Sequence, residues 1–236
     1  MGAGVPPSAM TFDPDRVETL TFDSYGTLVD VATVETSLTE VPGMADPEPV
    51  SNHWRARSLM YTMIANAIDA YQPFYDLNRA ALEHALETFG IDTDEAEREV
   101  VLEAYHDLDV FDDVRDGMAR LGDDYDLYVL SNGNPAMLDS MVEGAEIGDL
   151  LEDAISADEV ETFKPAAEFY RHAAARTGTP IDRIAHVCGP FFDVYGAMNA
   201  GMQAVRVDRG ETPWDGFAGE PDLTVADFHE LADELH

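Results

Sequence analysis

The chain has 236 residues, 45% of them apolar, and no apolar run reaches the roughly 18–20 residues that a membrane span needs. Its 48 acidic residues against 13 basic ones give a formal net charge of −35, a field that repels nucleic acid and anionic membrane surfaces. The single cysteine, Cys188, excludes an internal disulfide and a multi-cysteine metal site. The acidic residues are interleaved with apolar ones along the whole chain. That pattern points away from disorder and towards a salt-rich cytoplasm, where screening reduces self-repulsion. Residues 1–10 carry no basic segment ahead of an apolar one and read as a loose terminus, so a cytoplasmic protein is expected.

Residues 17–22 (Val-Glu-Thr-Leu-Thr-Phe) alternate and are rich in β-formers, which predicts a strand ending at Asp23. A mostly helical stretch follows over about residues 31–105. Pro42, Pro47 and Pro49 read as a breaker-rich connection early in it. Trp54, Tyr61, Ile64, Ile68 and Tyr71 form a helical stripe, with Arg55, Leu59 and Met63 on a neighbouring one. Another helix is predicted over about 77–89, closed by Gly90, and another over about 94–105. Short strands and helices then alternate: helix 114–121, strand 127–130, helix 135–143, strand 154–156 and helix 165–177. Strand 184–187, helix 193–201, strand 204–207 and helix 228–235 complete the series. Such alternation implies βαβ units. The expected fold is α/β: a Rossmann-like parallel sheet core of residues 1–30 and 106–236, with a helical cap, residues 31–105, inserted after the first strand.

Parallel α/β sheets bind ligands at the carboxyl ends of their strands. Asp23, Ser131 and Asp193 follow predicted strands there, and Lys164 stands at the start of helix 165–177. Four reactive groups converging on one sheet edge point to an enzyme. Twelve of the 13 basic residues are Arg, and Lys164 is the one lysine. It is either a chance survivor or an ammonium that the chemistry requires. Asp23 precedes Gly26 and Thr27 in a tight turn whose N–H groups are placed to hold an anion. Alone, it reads as a turn cap or as a carboxylate nucleophile.

Asp23-Ser-Tyr-Gly-Thr27, Ser131-Asn-Gly133, Phe163-Lys-Pro165 and Asp193, in that order, resemble the four motifs of the haloacid dehalogenase superfamily. The resemblance covers about residues 17–209. Phosphatase members carry a second Asp two residues after the nucleophile, where this chain has Tyr25. Asp-x-Tyr-Gly-Thr resembles the L-2-haloacid dehalogenase subgroup. A departing halide needs no proton, and the missing carboxylate weakens any Mg²⁺ site. The resemblance implies hydrolysis of (S)-2-haloacids to (R)-2-hydroxy acids through an ester on Asp23, with no cofactor or metal. The implied partners are a small anionic 2-haloacid and a halide, with a homodimer by analogy. Lys164 is expected to keep Asp23 ionised, Thr27 to steady the turn, and Asp193 to pair with Lys164 and help place the water. Ser131 and Asn132 are expected to hold the substrate carboxylate, and Arg55 to receive the halide. Tyr25, Leu59, Phe74, Tyr170 and Phe192 are expected to complete the substrate site.

Three positions depart from the subgroup: Cys188 where Ser is usual, Pro190 where Asn is, and Ala56 where Gln is. Cys is a poor hydrogen-bond donor, and Pro supplies neither an amide side chain nor an N–H. These changes bear on hydrolysis of the ester and on the preference for small haloacids rather than on the attack by Asp23. Cys188 is not read as a second nucleophile, because His186 is assigned to the opposite strand face. The seven His residues show no metal spacing, and Trp214 is given no role. Two other readings stay open: an Mg²⁺-dependent phosphatase using Asp23, and a catalytically impaired relative that binds a small carboxylate or a protein partner.

Overall fold

A computed structural model describes residues 12–210 and 213–236. The reading of residues 1–10 as a loose terminus lies outside them. The alternating, β-forming Thr-Leu-Thr-Phe segment forms β1 (Thr19–Phe22), and the chain turns through β2 (Val29–Asp30) into four helices. These are α1 (Val34–Thr39), α2 (Pro47–Ile68), α3 (Phe74–Thr88) and α4 (Glu95–Glu103). Next come β3 (Asp109–Val110), α5 (Val114–Leu121), β4 (Asp126–Ser131), α6 (Pro135–Gly144), β5 (Asp153–Ser156) and α7 (Ala167–Thr177). The chain closes with β6 (Ile184–Cys188), α8 (Phe191–Ala200), β7 (Gln203–Val207), β8 (Leu223–Val225) and α9 (Phe228–Leu235).

Six strands form a parallel sheet in the order β5-β4-β1-β6-β7-β8. With the core strands counted in chain order this is 3-2-1-4-5-6, the doubly wound order that opens a crevice where the winding reverses. The reversal lies at β1, so Asp23 emerges into that crevice. Helices cover both faces, so every residue of β1 is buried although its sequence alternates. Leu20, Phe22, Val129 and Val187 pack towards α5, α6 and α9 in one core layer. Leu130, Ile184 and Cys188 pack towards α7 and α8 in the other. β8 was not foreseen, nor was the antiparallel pair β2–β3, which joins the two strands of chain leading into and out of the helical insert.

The insert has its own apolar cluster, built on Val34, Leu38, Trp54, Leu82, Leu86 and Leu102. Pro47 and Pro49 are not breakers. They occupy the first turn of α2, where proline's missing N–H has no helical partner to lose. The buried face of α2 is Val50, Ser51, Trp54, Ser58, Thr62 and Ala65, which corrects the expected stripe. Ile64 and Ile68 point outwards, 44% and 66% exposed. Small polar residues replaced large apolar ones on the packed face, so hydrophobic periodicity tracked the wrong side. Trp54 anchors the face: its Nε1 donates to the Asn78 carbonyl at 2.8 Å, and Ser58 donates to the Asn78 amide oxygen at 2.8 Å.

Candidate active site

Asp23 follows β1 directly, and its backbone N–H donates to the Val187 carbonyl of β6 at 3.0 Å. Lys164 Nζ donates to Asp23 Oδ1 at 3.0 Å and to Asp193 Oδ2 at 2.7 Å. Thr27 Oγ1 donates to Asp23 Oδ2 at 2.8 Å and accepts from the Gly189 N–H at 2.9 Å. Gly189 permits this approach, since a Cβ there would lie 2.4 Å from the Gly26 carbonyl oxygen. The Gly26 and Thr27 N–H groups bond to Val29 and Ser24 carbonyls within the turn. They are therefore not available to hold an anion, contrary to the expectation from the sequence.

Asp193, in the first turn of α8, is fully buried. Its Oδ1 accepts from the Tyr170 hydroxyl at 2.6 Å and lies 3.0 Å from His186 Nε2. Tyr170 reaches it across Gly196, where a Cβ would come within 2.2 Å of the phenol oxygen. Lys164 is fixed from its backbone too. Its N–H donates to Asn132 Oδ1 at 2.8 Å, and the preceding Phe163 is bracketed by Asn66 of α2 through bonds of 2.8 and 3.0 Å.

One ammonium shared by two carboxylates cannot serve both equally, and the remaining donors decide the outcome. Burial favours the neutral form of Asp193, but His186 and Lys164 outweigh it and hold this carboxyl below its usual range. Burial lifts the Asp23 carboxyl, and Lys164 and Thr27 only partly offset that, so it sits above the usual range. Burial also opposes the charge on Lys164, yet Asp193 and Asp23 keep its pKa above the ordinary lysine value. The result is a charged lysine, a firmly ionised Asp193 and a more basic carboxylate at Asp23, which suits Asp23 to attack an electrophile.

Asp23 opens onto a cavity of about 910 Å³ between the sheet edge and the helical insert. Tyr25, Asn132 and Phe192 line it from the sheet side, and Arg55, Leu59 and Phe74 from α2 and α3. Arg55 donates to Asn52 at 2.7 Å and faces Glu35 at 3.9 Å. The Tyr25 hydroxyl has no hydrogen-bond partner among the described residues. Thr27, Lys164, Asp193, Tyr170 and Ser131 stand behind the cavity wall, each nearly or fully buried. Tyr170 therefore serves Asp193 rather than lining the cavity. The Ser131 hydroxyl lies 2.6 Å from Ser24 Oγ and accepts from the Gly133 N–H at 3.0 Å, and it does not face the cavity.

Sequence reasoning missed Arg206, Arg209 and Trp214, which also line the cavity. They follow the last motif and carry no pattern of their own; Arg206 sits over the Trp214 ring at 5.2 Å. The reading of His186 is corrected. Residues two apart in a strand share a face, and the ligating atoms of His186, Cys188 and Asp193 lie within 4.8 Å of one another. This set does not suit a metal. The Asp193 oxygens already face Lys164, Tyr170 and His186, and burial pushes the Cys188 thiol far up, so it stays protonated. A divalent cation shared by Asp23 and Asp193 fits no better, because the Lys164 ammonium stands between them and Tyr25 brings no carboxylate.

The family model for haloacid dehalogenase-like hydrolases matches residues 17–187. The chain is 31% identical to (S)-2-haloacid dehalogenase 1 of a Pseudomonas species over 84% of its own length and 88% of that protein. It is 29% identical to (S)-2-haloacid dehalogenase 4A of Burkholderia cepacia over 84% and 86%. The solved structure of the L-2-haloacid dehalogenase of Xanthobacter autotrophicus with chloropropionic acid covalently bound superposes with a TM-score of 0.85 at 28% identity, covering 92% of this chain and 97% of that one. Motif order, sheet winding, the Asp23–Lys164–Asp193 cluster and these matches agree, and the chain belongs to the family of haloacid dehalogenase-like hydrolases.

Proposed function

We propose that the protein hydrolyses (S)-2-haloacids to (R)-2-hydroxy acids. The observation that carries the reading is Asp23, raised in basicity, braced by Lys164 and Thr27, and open to a cavity lined by Arg55, with Tyr25 where a phosphatase would carry a second carboxylate. An Asp23 oxygen forms a bond to C2 as the carbon–halogen bond breaks, and the halide leaves with its electron pair towards Arg55. Water then adds to the Asp23 carboxyl carbon. The C–O bond of that carbon to the ester oxygen breaks, the hydroxy acid departs with inverted configuration, and one proton passes to solvent. No step needs a metal or cofactor. Asn132, Leu59, Phe74 and Phe192 shape the substrate site, and residues 31–105 act as its cap. The exposed Met60, Met63, Ile64 and Ile68 on α2 support a homodimer through that cap helix. No helix among the described residues is long and apolar enough to cross a membrane. The net charge of −35 supports a salt-rich cytoplasm, as in a halophilic archaeon.

The test is incubation with (S)-2-bromopropionate in sulfate-rich buffer without added metal, measuring bromide and (R)-lactate. Steady formation of both is expected, with Asp23→Asn inactive and folded. Cys188 and Pro190 favour a second outcome, attack without hydrolysis, which would show as one equivalent of bromide and the mass increase of a 1-carboxyethyl ester on Asp23. No bromide from the wild type would overturn the assignment.

A further inference from the structure

His186 lies behind the Asp23–Lys164–Asp193 cluster and takes no part in the chemistry above. It is completely buried in the centre of β6, a position flanked on both sides by sheet and covered by α7 and α8. An imidazole there is costly unless both ring nitrogens are satisfied. Its Nδ1 lies 2.9 Å from Thr21 Oγ1 of β1, and its Nε2 lies 3.0 Å from Asp193 Oδ1. The Nε2 contact is one of charge proximity rather than of an aligned hydrogen bond; a carboxylate only accepts, so a proton on Nε2 suits it, with the Thr21 hydroxyl then donating to Nδ1. The ring also packs edge-on against Tyr170, at 5.6 Å between centroids, and Tyr170 bonds the same Asp193 oxygen. One oxygen of Asp193 therefore accepts from the Tyr170 hydroxyl and lies within ion-pair distance of the His186 ring, while the other accepts from Lys164 Nζ.

We infer that His186 is a positioning residue: with Thr21 it fixes the Asp193 carboxylate, which fixes the Lys164 ammonium against Asp23. The action is indirect, since His186 reaches neither the cavity nor Asp23. It rests on the proposed haloacid reaction for its kinetic consequence, but not for its structural one.

Lys164 is the only lysine of the chain, so labelling lysine with ¹⁵N at Nζ gives one side-chain signal that reads this ammonium directly. The wild type should show a slowly exchanging ammonium at neutral pH. His186→Phe keeps an aromatic ring but removes both nitrogens. It should broaden that signal through fast exchange and lower kcat about tenfold, with KM within about twofold, as expected when a misplaced ammonium impairs the attack rather than substrate binding. His186→Gln, whose amide N–H can reach the Nε2 position, should restore both readouts. Should His186→Phe fail to fold, Thr21→Val removes only the hydroxyl that orients the ring and should change both in the same direction. The inference is overturned if folded His186→Phe, or Thr21→Val in its place, leaves the Lys164 signal and kcat as in the wild type. It is equally overturned if His186→Gln is as impaired as His186→Phe, because ring packing alone would then be the role. A wild type that releases no bromide overturns the haloacid assignment instead, and the Lys164 signal still decides the role of His186.

Discussion

Replacing Lys164 with Met removes the cation shared by Asp23 and Asp193 while keeping side-chain length. The ammonium is 1% exposed and sits 3.0 and 2.7 Å from the two carboxylates. At an effective dielectric of about 20, each contact corresponds to about 6 kcal/mol before desolvation is counted. Removing one partner of a buried pair costs about 3–5 kcal/mol in practice, because a buried charge is left uncompensated. Asp193 keeps His186 and Tyr170, so the loss falls on Asp23, whose carboxyl burial already lifts. At about 1.4 kcal/mol per pH unit, Asp23 should take up its proton about 2–4 units higher than in the wild type. Protonated Asp23 cannot attack. In the wild type, kcat/KM should therefore fall with decreasing pH as Asp23 is protonated, at a pH above the usual carboxylate range because burial raises this carboxyl. In Lys164→Met that limb should move to higher pH by about 2–4 units, and the deficit should shrink as the pH is raised. The assay is the initial rate of (R)-lactate formation from (S)-2-bromopropionate across that pH range, with circular dichroism to verify the fold. A deficit of the same size at every pH, or a limb that stays in place, would refute the claim that Lys164 acts by keeping Asp23 ionised.

Arg55→Ala should lower kcat/KM about 10–100-fold, the worth of a charged hydrogen bond, and weaken product inhibition by bromide. Unchanged bromide inhibition would remove Arg55 from the halide site. Asn66→Ala deletes both hydrogen bonds that bracket Phe163, which should lower stability by about 2 kcal/mol in urea unfolding and reduce kcat through Lys164. A wild-type urea midpoint would show that this link between insert and core contributes little. The net charge of −35 predicts a thermal midpoint that climbs steeply from dilute buffer towards molar KCl, as the screening length contracts to about 3 Å. A midpoint insensitive to salt would sink the salt-adaptation reading.

The sequence by itself determined the fold class and the residues that meet at the centre of the candidate site. Covered parallel strands read as short apolar runs, and motif residues stand at strand ends, where backbone connectivity alone places them at one edge of the sheet. Asp23, Lys164 and Asp193 were legible for that reason, and Tyr25 was legible because it stands at a fixed offset from Asp23. Tertiary structure alone decided which way side chains face. Ser131 turns to Ser24, Tyr170 backs Asp193, and Trp214 reaches the cavity, each through partners far off in sequence. The buried face of α2 was hidden because Ser51, Ser58 and Thr62 are packed there by a few specific contacts rather than by hydrophobicity. The place of His186 behind Asp193 depends on β1, β6 and α8 meeting at one point, and such pairing of distant elements leaves no periodic trace in the chain.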